Sequence, residues 1–432
     1  MFHSIKEFLD QFRFAEPIIS NDAVIFGILM IMLGLIFWTH SFQSRGWVTF
    51  YRFVPMLLLC YFLPSLLTAS GMVEPKDSNL YHVATRYMLP ASLVLLTLSI
   101  DLREIFKLGP KALVMFLTGT VGVVLGGPIA ILIVASFDPQ LVGGVDSNAV
   151  WRGLTTVAGS WIGGGANQAA MKEIFNPSDE LFSVMVAVDV LVAEFWMVFL
   201  LLGVGKAKAI DRFMKADASS VERLKEKMEN FSLGIQRNPS TADLMVILAL
   251  AFGTVAACHA AADLLAPWIE SNYPGLSKFS LDSKFFWLIV LATTLGVLMS
   301  FTRLRNYEGA GASKVGTVFI FILVATIGLG MDIFAVFEHP GLFMVGGIWM
   351  LFHVVLLFVV GYLIRAPYFF LAVGSKANIG GAASAPVVAA AFHPALAPVG
   401  VLLAVLGYAL GTYGAWLCGI MMEAAAPVTN GP

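Results

Sequence analysis

The chain has 432 residues, of which 58% are hydrophobic and 12% are charged, and its formal net charge is −2. A soluble globular protein is about a quarter charged, so half that fraction over this length predicts an all-α polytopic membrane protein. The composition argues against a soluble enzyme and a disordered chain, and the lack of a basic excess argues against nucleic-acid binding. The first expected partner is therefore the lipid bilayer.

Ten apolar stretches are long enough to cross a bilayer, which takes about 20 residues. They lie at roughly 23–39, 50–70, 82–100, 112–135, 181–204, 243–266, 285–301, 313–336, 341–364 and 397–421. Residues 150–175 and 366–392 are also apolar, but their centres are rich in Gly, Ala, Ser and Asn. Such centres make poor continuous helices, because each Gly costs about 1 kcal/mol relative to Ala.

The placement of Lys and Arg predicts how these segments cross. Basic residues concentrate in four loops, at 101–111, 205–241, 302–314 and 365–376. Cytoplasmic loops are the basic ones, and all four are cytoplasmic only if each Gly-rich segment enters and leaves the membrane on one side. The expected topology is ten spans and two re-entrant hairpins in the cell (inner) membrane. The first hairpin enters from outside, the second enters from inside, and both termini lie outside.

One long polar segment, 205–241, divides the chain into residues 1–204 and 242–432, with five spans and one Gly-rich segment in each. The segment carries eight Lys or Arg and five Asp or Glu residues. It is expected to be a solvated cytoplasmic linker with a surface helix near 219–230. A regulatory or partner site is the alternative interpretation.

The two halves resemble each other in sequence. Residues 162–167 parallel 379–384, and the stretch ending at Asp101 parallels the one ending at Asp332. The predicted topology places Asp101 at the inner face and Asp332 at the outer face, so the halves are predicted to be inverted repeats. Inverted repeats with interrupted segments are typical of secondary transporters, because broken backbone at membrane depth is tolerated only beside water or a ligand.

The segments GSWIGGGAN and GSKANIGGAASAP, together with SLVLLTLSIDLREIFKLGPKAL, resemble the YjcL-like integral membrane protein family. That family sits in the broad superfamily of cation/proton antiporters and anion transporters, with the sodium–glutamate, 2-hydroxycarboxylate and bile acid symporters as relatives. The resemblance implies a moving core domain with two crossing interrupted elements, and a static domain that often dimerises. A homodimer is accordingly an expected partner, whereas the resemblance implies no particular substrate.

Small polar residues and glycines at the centres of the two Gly-rich segments are predicted to bind a small-molecule solute. They are Ser160, Gly164, Gly165, Asn167, Ser375, Asn378, Gly380, Gly381 and Ser384. Hydroxyl and amide groups suit a solute or Na⁺, although capping of broken helix ends is an alternative role. Glycine permits tight turns and close backbone approach, and close packing alone is the alternative for the glycines.

Asp189 lies in the middle of a predicted span, where a charge costs about 2.5–3.5 kcal/mol on insertion scales. It is predicted to carry the coupling cation, either H⁺ or Na⁺, and no other cofactor or metal is expected. The alternative is a neutral carboxyl that bridges two helices. Lys376, beside the second Gly-rich segment, either meets a substrate carboxylate or reaches to the cytoplasmic surface.

The leading interpretation is a secondary active transporter of a small polar or anionic solute, coupled to Na⁺ or H⁺. The alternative is a cation/proton antiporter without an organic substrate. Such antiporters usually place acidic residues side by side, whereas Asp189 stands alone near the centre of its span. An enzyme is not expected, because HExxH, GxSxG and Walker motifs are all absent from the sequence.

Overall fold

The computed structural model describes residues 14, 16–54, 56–100, 105–106, 108–216, 219–224, 238–279, 281–331, 339–393 and 396–428. This part of the chain is built from helices and turns, and contains no β-strand. The prediction of an all-α protein is thus confirmed for the described residues. The parallel between Asp101 and Asp332 and most of the predicted linker helix lie outside them.

We number the principal helices in chain order. They are α1 (Asp22–His40), α2 (Arg45–Phe53), α3 (Met56–Ala69), α4 (Leu89–Leu98), α5 (Pro110–Ala135), α6 (Val150–Phe175), α7 (Asp179–Val204), α8 (Ala207–Phe213), α9 (Thr241–Asn272), α10 (Lys284–Ser300), α11 (Ala312–Leu329), α12 (Gly341–Leu363), α13 (Tyr368–Asn378), α14 (Gly381–Phe392) and α15 (Ala397–Ala425). A short helix, Leu80–Val83, and a π-helical turn, Ala84–Met88, lead directly into α4.

Seven of the described helices are long and apolar enough to cross a membrane, namely α1, α5, α7, α9, α11, α12 and α15. Each matches one of the ten predicted spans. The other three predicted spans are helical but shorter or interrupted. The span 50–70 is divided between α2 and α3, where the sequence has a proline that cannot donate a helical hydrogen bond. The span 285–301 is α10, which is 17 residues long and is followed by a 3₁₀ helix bent away by 96°.

The helices pack as two bundles. The panel bundle consists of α1, α3, α4, α9, α10 and α11, and the core bundle consists of α5, α6, α7, α12, α13, α14 and α15. The two bundles do not correspond to the two halves of the sequence. Each half supplies three helices to the panel bundle, and then a helix, a Gly-rich segment and a second helix to the core bundle.

The first Gly-rich segment, α6, folds back on itself as a helical hairpin. The helix breaks at Gly164, whose φ of 72° lies in the left-handed region that glycine tolerates. The Arg152 guanidinium donates to the Phe175 carbonyl over 2.7 Å, although the two are 23 residues apart. A straight helix would separate them by about 35 Å. We call Val150–Phe175 hairpin 1.

The second Gly-rich segment folds back in the same way. Gly380 and Gly381 have φ values of 111° and 57° and turn the chain between α13 and α14. The ring of Phe392, at the end of α14, packs 5.9 Å from Tyr368 and 5.2 Å from Phe369, at the start of α13. We call residues 368–392 hairpin 2.

The two hairpins approach α7 from its opposite ends. At the base of hairpin 1, the Lys172 ammonium pairs with Asp179, the first residue of α7, over 2.8 Å. At the base of hairpin 2, the Tyr368 hydroxyl donates to the Leu200 carbonyl near the last turn of α7 over 3.0 Å. Because α7 has 26 residues, or about 39 Å of helix, the two bases are far apart and the two tips point toward its middle.

Candidate functional site

Asp189 lies at the middle of α7 and is 3% exposed, as its mid-span position predicts. Its Oδ2 accepts a hydrogen bond from the Gln168 amide of hairpin 1 over 2.8 Å. The side chains of Ser160 and Trp161 interact with the same carboxyl. The Trp161 Nε1 is buried and has no partner within normal hydrogen-bond distance among the described residues. Hairpin 1 therefore surrounds Asp189 with uncharged hydrogen-bond donors.

Gln168 also connects Asp189 to the panel bundle. The Tyr61 hydroxyl on α3 donates to Gln168 Oε1 over 2.8 Å, while Gln168 Nε2 donates to Asp189. Both Tyr61 and Gln168 are fully buried. A continuous hydrogen-bonded chain therefore runs from the panel bundle through hairpin 1 to the carboxyl of α7.

Lys376 is fully buried, so the alternative that it reaches to the cytoplasmic surface is wrong. Its ammonium donates to the Ala193 carbonyl over 3.0 Å, one turn along α7 from Asp189. It lies 4.0 Å from the Glu194 carboxylate and also interacts electrostatically with Asp189. Asp189 therefore has a basic neighbour, which the sequence pattern did not reveal. Two carboxylates and one ammonium leave the group one positive charge short of neutrality.

Ser375 joins three elements of the core bundle beneath Lys376. It accepts a hydrogen bond from the Trp196 indole of α7 over 2.9 Å, and it lies 2.9 Å from His353 Nε2 of α12. His353 Nδ1 faces the Gly119 carbonyl at 3.1 Å, which can only accept, so Nδ1 carries the proton and Nε2 accepts from Ser375. A neutral His353 satisfies both contacts, and it joins α12 to α5 and hairpin 2.

Asn167 and Asn378 make matching hydrogen bonds in the two hairpins. The Asn167 amide donates to Gly163 O and Tyr408 O over 3.0 and 3.1 Å, and its oxygen accepts from Thr412, one turn beyond Tyr408 on α15. Asn167 thereby fastens hairpin 1 to the final helix of the other half.

The equivalent bonds of hairpin 2 run to α5. The Asn378 amide donates to Gly374 O and Phe116 O over 3.0 and 2.9 Å, and its oxygen accepts from Thr120, one turn beyond Phe116. In both hairpins the asparagine uses its polar atoms to bind a neighbouring helix in this state. We name these two sets of bonds the asparagine latches.

The hairpin tips meet at Gly407 on α15. A Cβ atom on Gly407 would lie 2.6 Å from the Ile162 carbonyl of hairpin 1 and 3.5 Å from the Ala377 carbonyl of hairpin 2. Glycine is required for the close approach of the Ile162 carbonyl, whereas the Ala377 carbonyl would be at ordinary contact distance from a Cβ. Backbone oxygens from both hairpins thus converge within one small region of the core bundle.

The other predicted solute-binding residues lie at the two tips. Gly164, Gly165 and Gly380 are partly exposed, and Gly381 is buried with open space where a Cβ would stand. The Ser384 hydroxyl donates to the Gly380 carbonyl over 3.1 Å. Gly164 and Gly381 are therefore required chiefly by their left-handed backbone, whereas Gly380 is required both by its left-handed backbone and by close packing against Ser384 and Lys376.

The structure adds residues that the sequence gave little reason to choose. They are Tyr61, Thr120, Trp161, Gln168 and Trp196, and the structure also gives partners to Glu194, Lys376 and Thr412. Gln168 and Lys376 had a usable signal, because both are polar residues within a Gly-rich segment. Among the described residues, no group of three or more His, Cys, Asp or Glu side chains could hold a metal ion.

Comparison with known proteins extends over most of the chain. The chain is similar to the "Uncharacterized membrane protein YjcL" of Bacillus subtilis (strain 168), with 26% identity over 357 residues, 79% of this chain and 83% of that protein. The wider superfamily and its named symporters stay a prediction. The family described as "Protein of unknown function (DUF819)" matches residues 27–425, and the chain therefore belongs to this family of membrane proteins.

Proposed function

We propose that this protein is a secondary active transporter of a small polar or anionic solute, driven by a cation gradient. The observation that carries the proposal is the meeting of two helical hairpins, one from each half of the chain, at the buried carboxyl of Asp189. A purely structural membrane protein gains nothing from two broken helices at this depth, because each break exposes backbone groups that need a partner.

In this proposal both hairpins are re-entrant and the two halves are inverted repeats. The bases of the hairpins lie at opposite ends of α7, beside Asp179 and Leu200. If α7 crosses the membrane, hairpin 1 enters from one side and hairpin 2 from the other. We place the linker and the base of hairpin 2 in the cytoplasm, and both termini outside the inner membrane. Such halves can exchange conformations and so open the site to each side in turn.

The core bundle would carry the solute and the panel bundle would support it, as a monomer or within a homodimer. The solute would sit at the partly exposed tips, where Gly164, Gly165 and Gly380 leave backbone accessible. Asp189 would hold the coupling cation, and no enzymatic activity or tightly bound cofactor is proposed. Lys376 would balance the buried Asp189 carboxylate while the site is empty, since buried charges are costly without a partner.

A cation/proton antiporter without an organic solute is the second candidate. The observation in its favour is the charge balance, because Asp189 and Glu194 together face only one ammonium, that of Lys376. A site with this deficit attracts a cation more readily than an anion. The two candidates differ in whether a solute is needed for ion movement.

Transport by the purified protein in liposomes tests both candidates. Currents and uptake would be recorded for carboxylates, amino acids and other small polar solutes under Na⁺ or H⁺ gradients. Asp189→Asn should insert normally and lose gradient-driven accumulation. Asp263→Asn is the matched control, because this carboxyl lies on the spanning helix α9 but is exposed and paired with Lys284.

The outcomes separate the candidates. Cation exchange that no solute stimulates would favour the antiporter. Accumulation by Asp189→Asn with an unchanged ion dependence would reject the coupling role and leave Asp189 as a neutral bridge between helices.

A further inference from the structure

The hydrogen-bonded chain of Tyr61, Gln168 and Asp189 can change direction, because the Gln168 amide at its centre has both a donor and an acceptor. A bridge that only holds helices together does not need this ability. We propose that Gln168 and Tyr61 are positioning residues that sense whether Asp189 carries a proton. On protonation the Gln168 side-chain amide turns over, and the change reaches Tyr61 on the panel bundle. This inference rests on the proposed function and deepens it, because it names H⁺ as the cation that Asp189 exchanges.

The first step concerns the chemistry around Asp189. A hard cation such as Na⁺ is bound by oxygen ligands. The groups that act on this carboxyl instead carry mainly N–H hydrogens. The Gln168 amide donates to it, the Trp161 indole and the Ser160 hydroxyl interact with it, and the Lys376 ammonium acts on it electrostatically. A sodium ion would face the positive ends of these donors, whereas a proton needs only the carboxyl oxygen itself.

The second step concerns the amide. An amide has a donor on one side and an acceptor on the other. In this state Gln168 Nε2 donates to ionised Asp189 and Oε1 accepts from Tyr61. When the proton is added to Oδ2, the oxygen that Gln168 contacts, that O–H needs an acceptor, and Gln168 Oε1 can supply it. Rotating the amide by half a turn achieves this and points Nε2 toward the Tyr61 oxygen, which can accept because a phenol does both. The Tyr61 O–H then loses Gln168 Oε1 as its acceptor and has to turn away from it, so the change in Asp189 alters the hydrogen bonding of Tyr61.

The third step concerns location. An ideal Cβ on Gly328 of α11 would lie only 2.2 Å from the Tyr61 carbonyl, so α3 and α11 are in backbone contact at this residue. Tyr61 is therefore fixed to the panel bundle, whereas Gln168 belongs to hairpin 1 of the core bundle. The direction of the bond between them depends on the charge of Asp189. Protonation is thus felt at the interface across which the two bundles would move.

The buried Cys60 thiol is the neighbour of Tyr61 on α3, and the charged and imidazole groups near this chain are already engaged. Lys376 contacts Ala193 O and Glu194, and His353 is held between Gly119 O and Ser375. At the distant base of hairpin 1, Lys172 pairs with Asp179, and Glu173 pairs with Arg86 and accepts from Tyr81. On α8, Asp211 accepts from the Tyr368 backbone N–H. Asp189 is thus the group at this position that is free to change its protonation.

Infrared difference spectroscopy of the full-length protein in lipid nanodiscs tests the inference without any transport assay. Spectra at acid and alkaline pH would be compared with unlabelled and ¹³C-tyrosine protein. We expect a protonated-carboxyl band at acid pH that is lost in Asp189→Asn. A tyrosine band should change with it, and that change should be lost in Tyr61→Phe and also in Gln168→Met, which keeps Tyr61. Tyr413→Phe is the matched control, because its hydroxyl contacts Thr294 at the same interface without reaching Asp189.

Two results would overturn the inference. One is a tyrosine change that persists in Gln168→Met or is missing while the carboxyl titrates, which would exclude the relay. The other is a carboxylate band that responds to NaCl against choline chloride at constant pH and does not titrate, which would make Na⁺ the ligand. Failure of the proposed function would look different, because the spectra would then behave as expected while the liposomes move neither solute nor cation.

Discussion

Hairpin 1 turns at one left-handed glycine, Gly164, whereas hairpin 2 turns at two, Gly380 and Gly381. Both hairpins nevertheless close their bases with aromatic or backbone contacts. Each also has an asparagine that bonds the carbonyl four residues earlier and a neighbouring helix, although Asn167 follows the turn of its hairpin and Asn378 precedes the turn of its own. The two segments therefore share a helical hairpin turned at glycine, which the proposed exchange of conformations between repeats would require.

The side chains that the hairpins bring to α7 differ in charge. Hairpin 1 presents the neutral Gln168 amide and Ser160 hydroxyl to Asp189, while hairpin 2 presents the Lys376 ammonium one turn away. At the bases the distribution of charge is reversed, because hairpin 1 is the one held by charged side chains. Ion pairs hold hairpin 1 at its base through Lys172 and Glu173, whereas backbone and hydroxyl bonds hold hairpin 2. The comparison teaches that one backbone plan can support unequal chemistry, so movement of the two hairpins would not be energetically equivalent.

Removing the charge of hairpin 2 should have the largest effect. Lys376→Met leaves the buried Asp189 without its basic neighbour and the Ala193 carbonyl without its donor. Leaving a buried charged group without a partner costs more than the ~1–3 kcal/mol of a neutral one. Thermal unfolding in detergent should show this loss, and adding Asp189→Asn to the same protein should recover most of it. Gln168→Met, the neutral counterpart in hairpin 1, should cost clearly less. Equal stability of the single and double variants would show that Lys376 does not neutralise Asp189.

Breaking the asparagine latches should affect both hairpins alike. Asn167→Leu and Asn378→Leu each leave buried carbonyl and hydroxyl groups unpaired, at about 1–3 kcal/mol. Double-variant cycles with Thr412→Val and Thr120→Val, read by thermal unfolding, should give a favourable coupling in each hairpin. Asn272→Leu is the control, because its amide bonds Trp268 O at the exposed end of α9. A favourable coupling in only one hairpin would show that the two asparagine latches do not stabilise their hairpins equally.

The smallest predicted effect lies at the base of hairpin 2. Asp211 of α8 accepts from the Tyr368 N–H, the first of α13, over 2.7 Å. Asp211→Ala leaves that donor unpaired, and we expect a loss of about 1 kcal/mol in thermal unfolding at neutral pH. Asp211→Asn keeps the acceptor oxygen and should lose much less. No destabilisation by Asp211→Ala would show that α8 does not support the hairpin.

The pH dependence of Asp211 gives a second measurement at this base. Partial burial raises the pKa of the Asp211 carboxyl above its ordinary value of 3.8, although the bond from Tyr368 opposes the rise. The Asp211 pKa is higher in the folded protein than in the unfolded chain, so folding favours the protonated carboxyl. The contribution of this group to the free energy of unfolding is therefore fully present below pH 3.8 and is lost as the pH rises through the folded pKa. Asp211→Asn should remove that part of the pH dependence. If Asp211→Asn left the dependence of stability on pH unchanged, the raised pKa of Asp211 would be contradicted.

The linker shows where the sequence pattern was informative and where it was not. Its polar composition predicted a solvated connector, yet Met214 is fully buried and packs on Gly361 of α12. The Phe213 ring lies 5.9 Å from Tyr362. One buried methionine among many charged residues is a weak signal, because composition averages over a segment while docking depends on a few side chains.

The sequence by itself determined the class of this protein. Long apolar stretches leave the membrane as the only solvent that suits them, and Gly-rich centres cannot continue a helix without strain or loss of packing. An ionised carboxyl in the middle of a span, such as that of Asp189, has a high free-energy cost of insertion into the membrane whatever its neighbours in the fold are. These inferences depend on local composition alone, so they survive without knowledge of the fold.

Only the tertiary structure decided which residues meet. Lys376 and Asp189 are 187 positions apart in the sequence, and the return of hairpin 2 to α7 brings them together. Tyr61 reaches Gln168 because α3 contacts α7, and Asn378 reaches Thr120 because α5 packs beside hairpin 2. Such pairs depend on how helices pack across the two bundles. No periodicity or motif encodes that packing, since it follows from the sum of many weak contacts between distant segments.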